Sequence, residues 1–313
     1  MKYALVTLGT RGDLQPYLAL ALGLQADGQE PLIVSAQNDQ LLVEGLGLKH
    51  WPLSVDIQAS LQSPEVQAMT QSDNPLKFFR SHLRGMGKLR EQMTRVQAEI
   101  FQACQGQDAL IYHPGQQGVY LIGQQLGIPT ILASPFPLTE TGRYPALLFY
   151  AGPRLGGIYN RLTHRVFQTL FWWMARSSAQ AFWGRKVPLG ALSVQQERSG
   201  MPVLYGYSPL LFPRPPEWSD NIQVTGAWHL EQEPNWSPSP ELLAFLESGP
   251  PPVYVGFGSM KEKASFEPML DLLIQSAALS GQRMIVSLGW NQPPGERTLP
   301  PEVFLLGNAS HAW

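Results

Sequence analysis

The chain has 313 residues, 44% of them hydrophobic and only 15% charged, with a formal net charge of -2. That length suffices for two domains with separate cores, and the balance excludes an overall basic field of the kind that attracts nucleic acid. The single cysteine, Cys104, excludes an internal disulfide and fits a reducing compartment.

The chain opens with an apolar run, Tyr3 to Leu8, that enters a turn bracketed by Gly9 and Gly12. An apolar-periodic helix leaves it over Leu14 to Leu24, with Leu14, Tyr17, Leu18, Ala21 and Leu22 on one face. Strand, tight loop and helix start are the usual place for phosphate in an α/β protein. Asp13 is expected at the N-cap, and Pro16 in the first turn, where its missing N–H has no partner to lose. The loop is neither G-x-G-x-x-G nor a P-loop ending in Gly-Lys-Ser/Thr, which disfavours a dinucleotide fold. Asp13 has two readings, a helix cap or a general base at the carboxyl end of the strand. Thr10 and Arg11 could donate to a phosphate that Gly9 and Gly12 let approach.

Strands are expected at 31–36 and 49–53 around a short helix at 41–45, so a parallel sheet is expected. Residues 54 to 75 read as a loop. Helical spacing is clearest over 76–103, with Lys77, Arg80, Arg84 and Lys88 on a neighbouring stripe. That stripe is either a solvated face or an attraction to anionic lipid headgroups. Strand four, 108–113, ends in His113, either a structural hydrogen-bonding group or a catalytic one. A helix at 119–125 leads to strand five at 130–134, whose exit loop runs Pro135-Phe136-Pro137-Leu138-Thr139. Aromatics crowd the stretch from Tyr144 to Trp183, including Phe149 and Trp172, with a helix over 158–175. They are either ordinary core or an apolar acceptor pocket continuous with a membrane-facing patch.

A late strand at 203–207 closes the first domain, and prolines stiffen the connector from 209 to 218. After a short helix at 241–247, a second strand-loop-helix unit begins at Val253, with strands at 253–258, 283–288 and 303–306 and a helix at 266–279. The expected domains are therefore 1–215, a linker at 216–240, and 241–313. No window approaches the ~20 uninterrupted apolar residues of a membrane span. The expected location is cytoplasmic, compatible with peripheral contact at the inner face of a membrane.

Gly9-Thr-Arg-Gly-Asp-Leu-Gln-Pro-Tyr17 resembles the opening signature of the family 28 and family 1 glycosyltransferases, above all their sterol glucosyltransferase-like branch. The resemblance continues in Ala133-Ser-Pro-Phe-Pro-Leu-Thr139, Leu204-Tyr-Gly-Tyr-Ser-Pro209, Val253-Tyr-Val-Gly-Phe-Gly-Ser-Met260 and Asn308-Ala-Ser-His-Ala-Trp313. It implies an α/β fold of two Rossmann-like domains, the GT-B fold, and transfer of a sugar from a nucleotide donor with inversion. It implies Asp13 as the base and Thr10, Arg11 and Gly12 as phosphate contacts. From the second domain it implies Gly258, Ser259 and Met260 along the diphosphate and Trp313 near the nucleobase. His113, Phe136, Phe149 and Trp172 are the expected acceptor pocket, for a sterol, carotenoid, hopanoid or polyketide alcohol. The donor it suggests is UDP-glucose, a substrate, so no cofactor is expected; no metal is expected either, since the six histidines and one cysteine form no ligand-spaced cluster.

In the relatives, the block resembling His311-Ala-Trp313 continues into a His-Gly-Gly loop and an acidic-Gln pair, neither of which follows here. An incomplete second domain is therefore expected, and a noncatalytic remnant that binds lipid is the alternative function.

Overall fold

The computed structural model describes residues 1–57, 59, 91–150, 152–184, 200–231, 236–256, 258, 266–289 and 298–307. Within α5 the side chains of 170, 171, 173–178 and 181 lie outside the description. The predicted loop after 57 and the stripe of Lys77, Arg80, Arg84 and Lys88 lie outside the described residues. The chain divides into two units, Met1–Glu231 and Gln232–Trp313.

In the first unit the elements run β1 (Lys2–Val6), α1 (Arg11–Ala26), β2 (Glu30–Ala36), α2 (Gln40–Gly45) and β3 (Lys49–Leu53). Helix α3 covers 91–104. Then come β4 (Ala109–Tyr112), α4 (Gly118–Leu126), β5 (Thr130–Ser134), α5 (Gly157–Trp183), β6 (Val203–Tyr205) and β7 (Ile222–Val224). The strands form one parallel sheet in the order β3-β2-β1-β4-β5-β6-β7.

Alternation along each strand sorts the core into two layers. Leu5, Ile33, Ile111 and Ala133 point to one face, where Leu14, Tyr17, Leu18 and Ala21 of α1 and Val43 of α2 cover them. Ala4, Val6, Leu110, Tyr112, Leu132, Val203 and Ile222 point to the other, under Val96 and Ile100 of α3, Val119 and Ile122 of α4 and Phe167 and Trp172 of α5. A sheet covered on both faces needs apolar runs rather than half-polar strands, which is why these strands read so clearly. Each fully buried Leu or Ile here contributes about 1.5–3 kcal/mol through the hydrophobic effect.

The second unit holds α6 (Pro240–Glu247), β8 (Val253–Gly256), α7 (Phe266–Ser280), β9 (Met284–Ser287) and β10 (Val303–Leu306), with sheet order β10-β9-β8. Its core packs Phe266, Leu270 and Ala277 of α7 on Met284, Val286, Leu288 and Val303. Ser239 Oγ accepts from Leu242 N at 3.2 Å and so sets the start of α6.

Two expectations are corrected. The stretch 222–224 is a strand of the first sheet, paired with β6, rather than part of a linker. The sequence reads as a short strand-like piece over 222–228; which sheet it joins is decided by the pairing. Helix α1 begins at Arg11, not Leu14, which puts Thr10 at the N-cap and Asp13 two residues inside the helix. Pro16 therefore sits in the second turn, where its missing N–H leaves the Gly12 carbonyl without its usual helical donor.

Candidate active site

The site is built at the carboxyl ends of β1, β4 and β5, three neighbouring strands. Thr10 and Asp13 lock the start of α1 together. Asp13 Oδ2 accepts from Thr10 N at 2.7 Å and from Thr10 Oγ1 at 3.2 Å, the acidic half of a capping box. The carboxylate lies in the space that Gly9 leaves free, where a Cβ on Gly9 would collide with Asp13 Oδ2. Gly12 is different: a Cβ there would meet only Thr10 Oγ1, at 3.7 Å. The loop therefore needs glycine at the first position and not at the second.

The other oxygen of the carboxylate faces histidine. Asp13 Oδ1 lies 3.4 Å from His113 Nε2. His113 follows β4, and β4 pairs directly with β1, so residues a hundred positions apart meet across one strand gap. His113 Nδ1 accepts from Gly115 N at 3.1 Å, so the proton of the neutral ring sits on Nε2, which lies 3.4 Å from Asp13 Oδ1 without hydrogen-bond geometry. The ring stands edge-on to Tyr17, at 5.9 Å between centroids, and to Phe136, at 6.2 Å. Burial holds the His113 pKa below the ordinary histidine value, and the Asp13 charge only partly opposes this. The two partners differ in access: the Asp13 side chain is 29% exposed and that of His113 is 8%. Asp13 is the more exposed member of the pair. Arg11 is half-buried, and burial lowers its pKa.

Around this pair the exit loops are tied down. The Tyr17 hydroxyl donates to the Ala133 carbonyl. The Tyr205 hydroxyl accepts from Leu138 N at 3.1 Å and from Thr139 N at 2.7 Å, and shares a 2.7 Å bond with Thr139 Oγ1. It fixes the loop that carries Phe136. Trp228 stands edge-on to Tyr17 and closes over Gly206, where any Cβ would run into its ring.

A cavity of about 390 Å³ opens beneath α5. Leu132, Val203 and Ile222 form its floor, Phe167 and Trp172 hang from α5, and Trp218 closes one side. Pro114, the residue after His113, also lines it. Its rim is polar, with Arg165 gripping Glu140 through two bonds of 2.8 and 3.1 Å.

The expected site residues therefore separate. Asp13, Thr10, His113 and Phe136 come together, and Trp172 lines the cavity. Phe149, in a turn at Leu147–Phe149, packs against the same core cluster as Phe136 and Trp172. Gly258 takes a left-handed φ of 62°, a conformation glycine favours. Ser259, Met260 and Trp313 lie outside the described residues. Asp13 is not the N-cap residue that its place in the loop suggests; it caps from inside the helix, by reaching back. The contact between Asp13 and His113 was not anticipated, nor were the roles of Tyr205 and Trp228. Among the described residues no group of three metal-ligating side chains occurs, and no helix is long and apolar enough to cross a membrane.

Residues 3–145 match the family model of the glycosyltransferase family 28 N-terminal domain. Among its relatives are the sterol 3-beta-glucosyltransferases of Kluyveromyces lactis, 31% identical, and Neurospora crassa, 30% identical. Both match all of this chain, which spans 26% and 21% of their lengths, so the chain covers about a quarter or less of either. In solved structures the chain is similar to the glycotransferase of kitacinnamycin, with a TM-score of 0.57 and 16% identity, covering 97% of this chain and 70% of that one. It is also similar to the glycosyltransferase SnogD from Streptomyces nogalater, with a TM-score of 0.54 and 18% identity, covering 98% and 72%. The fold class is α/β, of the GT-B glycosyltransferase type.

Proposed function

We propose that the full-length protein is an inverting glycosyltransferase that moves a hexose, glucose in the first instance, from a UDP-sugar to the hydroxyl of a sterol or similar hydrophobic acceptor. The observation that carries this reading is the division of labour on the Asp13 carboxylate. Oδ2 is engaged by Thr10, while Oδ1 stands beside His113 Nε2 on a partly exposed side chain at a strand's carboxyl end. Ligands of open α/β sheets gather at that edge.

In the reaction the acceptor oxygen attacks the anomeric carbon from the face opposite the diphosphate. The bond from carbon to diphosphate oxygen breaks, its electron pair leaves on UDP, and the acceptor proton passes to Asp13 Oδ1. His113 cannot take that proton readily, because Nε2 is already protonated and Nδ1 is occupied by Gly115 N. Its Nε2–H lies 3.4 Å from Oδ1, near enough to favour the charge of the carboxylate. The amides of the α1 N-terminus, with Thr10 and Arg11, suit the departing negative charge. Gly12 allows close approach there, and Gly258, Ser259, Met260 and Trp313 are proposed to complete the donor side. The cavity under α5 has the size of a small-molecule pocket; Trp172, Phe167 and Leu132 supply its apolar part, and Gln168, Arg161 and Glu217 supply polar groups that suit the hydroxyl end of a lipid alcohol.

A second reading, a noncatalytic protein that binds lipid, is favoured by the fact that Asp13 already serves as a cap. Radiolabelled UDP-glucose and a panel of sterols separate the two. Transfer with a β-linked product supports the enzyme. Sterol binding with neither donor binding nor transfer supports the noncatalytic reading and overturns the first.

A further inference from the structure

We propose that Trp228 is a positioning residue for the Asp13–His113 pair, acting through the ring of Tyr17; its part in turnover rests on the reading of Asp13 as the base. Beyond β7 the backbone turns at Gly226, whose φ of 83° lies in the left-handed region that glycine favours. The chain then lays Trp228 and Leu230 against the core layer under α1, where Tyr17 is fully buried. Three contacts hold the indole. Its Nε1 donates to Thr225 Oγ1 at 2.9 Å, and Thr225 Oγ1 donates in turn to the Tyr205 carbonyl at 3.2 Å. The ring covers Gly206, where a Cβ would come within 2.5 Å of it. It meets Tyr17 edge-on, at 6.5 Å between centroids and 83° between planes.

Tyr17 carries that hold to the site. It stands one helical turn after Asp13 on α1. Its ring meets His113 edge-on at 5.9 Å, and His113 meets Phe136 edge-on at 6.2 Å. Rings thus run in series from Trp228 to Phe136, and the imidazole among them lies 3.4 Å from Asp13 Oδ1. Edge-to-face pairs prefer particular tilts, so a fixed indole restricts the phenol ring and the phenol ring restricts the imidazole. The Tyr17 hydroxyl bond to the Ala133 carbonyl lies on the ring's own axis. It anchors the tip and leaves the rotation of the ring to its neighbours. The same packing keeps water from His113. The groups that face the imidazole are Asp13 and Tyr17 from α1, Gly115 from its own loop and Phe136 from the exit of β5. Asp13 is the charged one among them, and burial outweighs it in holding the ring neutral. Loss of the indole opens space beside Tyr17 and lets that ring swing.

The test follows the His113 imidazole by NMR as pH is varied, in the whole chain and without turnover. In the wild type His113 is expected to titrate below the ordinary value of ~6.5. Trp228→Leu should raise that midpoint by about half a pH unit or more. Gly206→Ala pushes the indole off its seat from the other side and should move the midpoint in the same direction. Trp228→Phe keeps a ring on Gly206 and should restore most of the wild-type value. His50 and His164, outside the row of rings, should keep their midpoints in every variant. A folded Trp228→Leu or Gly206→Ala protein in which His113 titrates as in the wild type overturns the proposal. So does a shift of all three histidines together, because the indole would then hold the fold and not the pair. In the full-length protein Trp228→Leu should lower kcat about tenfold and leave the KM for the acceptor unchanged, because the indole places the base and not the acceptor. An unchanged kcat in an active enzyme also overturns it. A full-length wild type that transfers no sugar would remove Asp13 as a base, and the titration would still decide whether Trp228 positions the pair.

Discussion

At the scale of single residues, the two glycines of the opening loop make opposite demands. Gly9 gives its side-chain space to the Asp13 carboxylate, so Gly9→Ala must displace that group. It should cost about 1–3 kcal/mol of stability, as overpacking does, and weaken whatever Asp13 contributes to turnover. Gly12 lies inside α1 with open space around it. Gly12→Ala should be neutral or stabilise by up to about 1 kcal/mol, as alanine does in a helix. Chemical denaturation of the pair checks this: equal losses would mean that the carboxylate does not occupy the Gly9 space. Asp13 also shows how much a sequence reveals of a site. The residue types and the turn are legible, because glycine, threonine and aspartate before an apolar helix have few uses. The partner is not, because His113 arrives through strand order, which no local pattern records.

At the scale of elements, β4, β5 and β6 place their exit loops side by side, and a single phenol holds one of them. Tyr205 is fully buried, and its hydroxyl receives two backbone N–H groups of the 138–139 segment. Tyr205→Phe leaves both donors unpaired in a buried setting. The expected loss is about 1–3 kcal/mol, with added mobility in the loop that carries Phe136, read by denaturation and by hydrogen exchange at Leu138 and Thr139. An unchanged stability would show that water replaces the phenol without cost. The strands at 49–53, 130–134 and 303–306 match their sequence-based bounds, the last two because apolar runs leave little choice. The start of α1 does not, and the strand-like piece expected over 222–228 ends at 224 and belongs to the first sheet. The Asp13 side chain reaching back decides the first and backbone pairing with β6 the second, and spacing alone records neither.

At the scale of the whole molecule, buried imidazoles tie stability to pH. His50, His113 and His164 all have pKa values held below the ordinary one, chiefly because burial disfavours the cation. The unfolded chain takes up protons near pH ~6.5 that the folded chain refuses, so stability falls on acidification through that value. Above it the histidines are neutral in both states and contribute no slope. Asp39 acts oppositely: burial pushes its carboxyl up to about 6, so the folded state keeps a proton that the unfolded state loses. Below that point it offsets part of the histidine effect. The clearest window is therefore about pH 6 to 7, where the melting temperature should drop, and where His164→Gln should flatten the slope. A melting temperature that rises on acidification across this window would contradict the burial of these rings.

The central claim is that one oxygen of Asp13 caps α1 while the other receives the acceptor proton. Asparagine keeps a cap acceptor and removes the base, so Asp13→Asn in the full-length protein tests the claim most directly. Turnover of UDP-glucose and a sterol should fall about 10²- to 10⁴-fold, with the melting temperature nearly unchanged. Undiminished turnover in a folded variant would leave Asp13 a cap and nothing more.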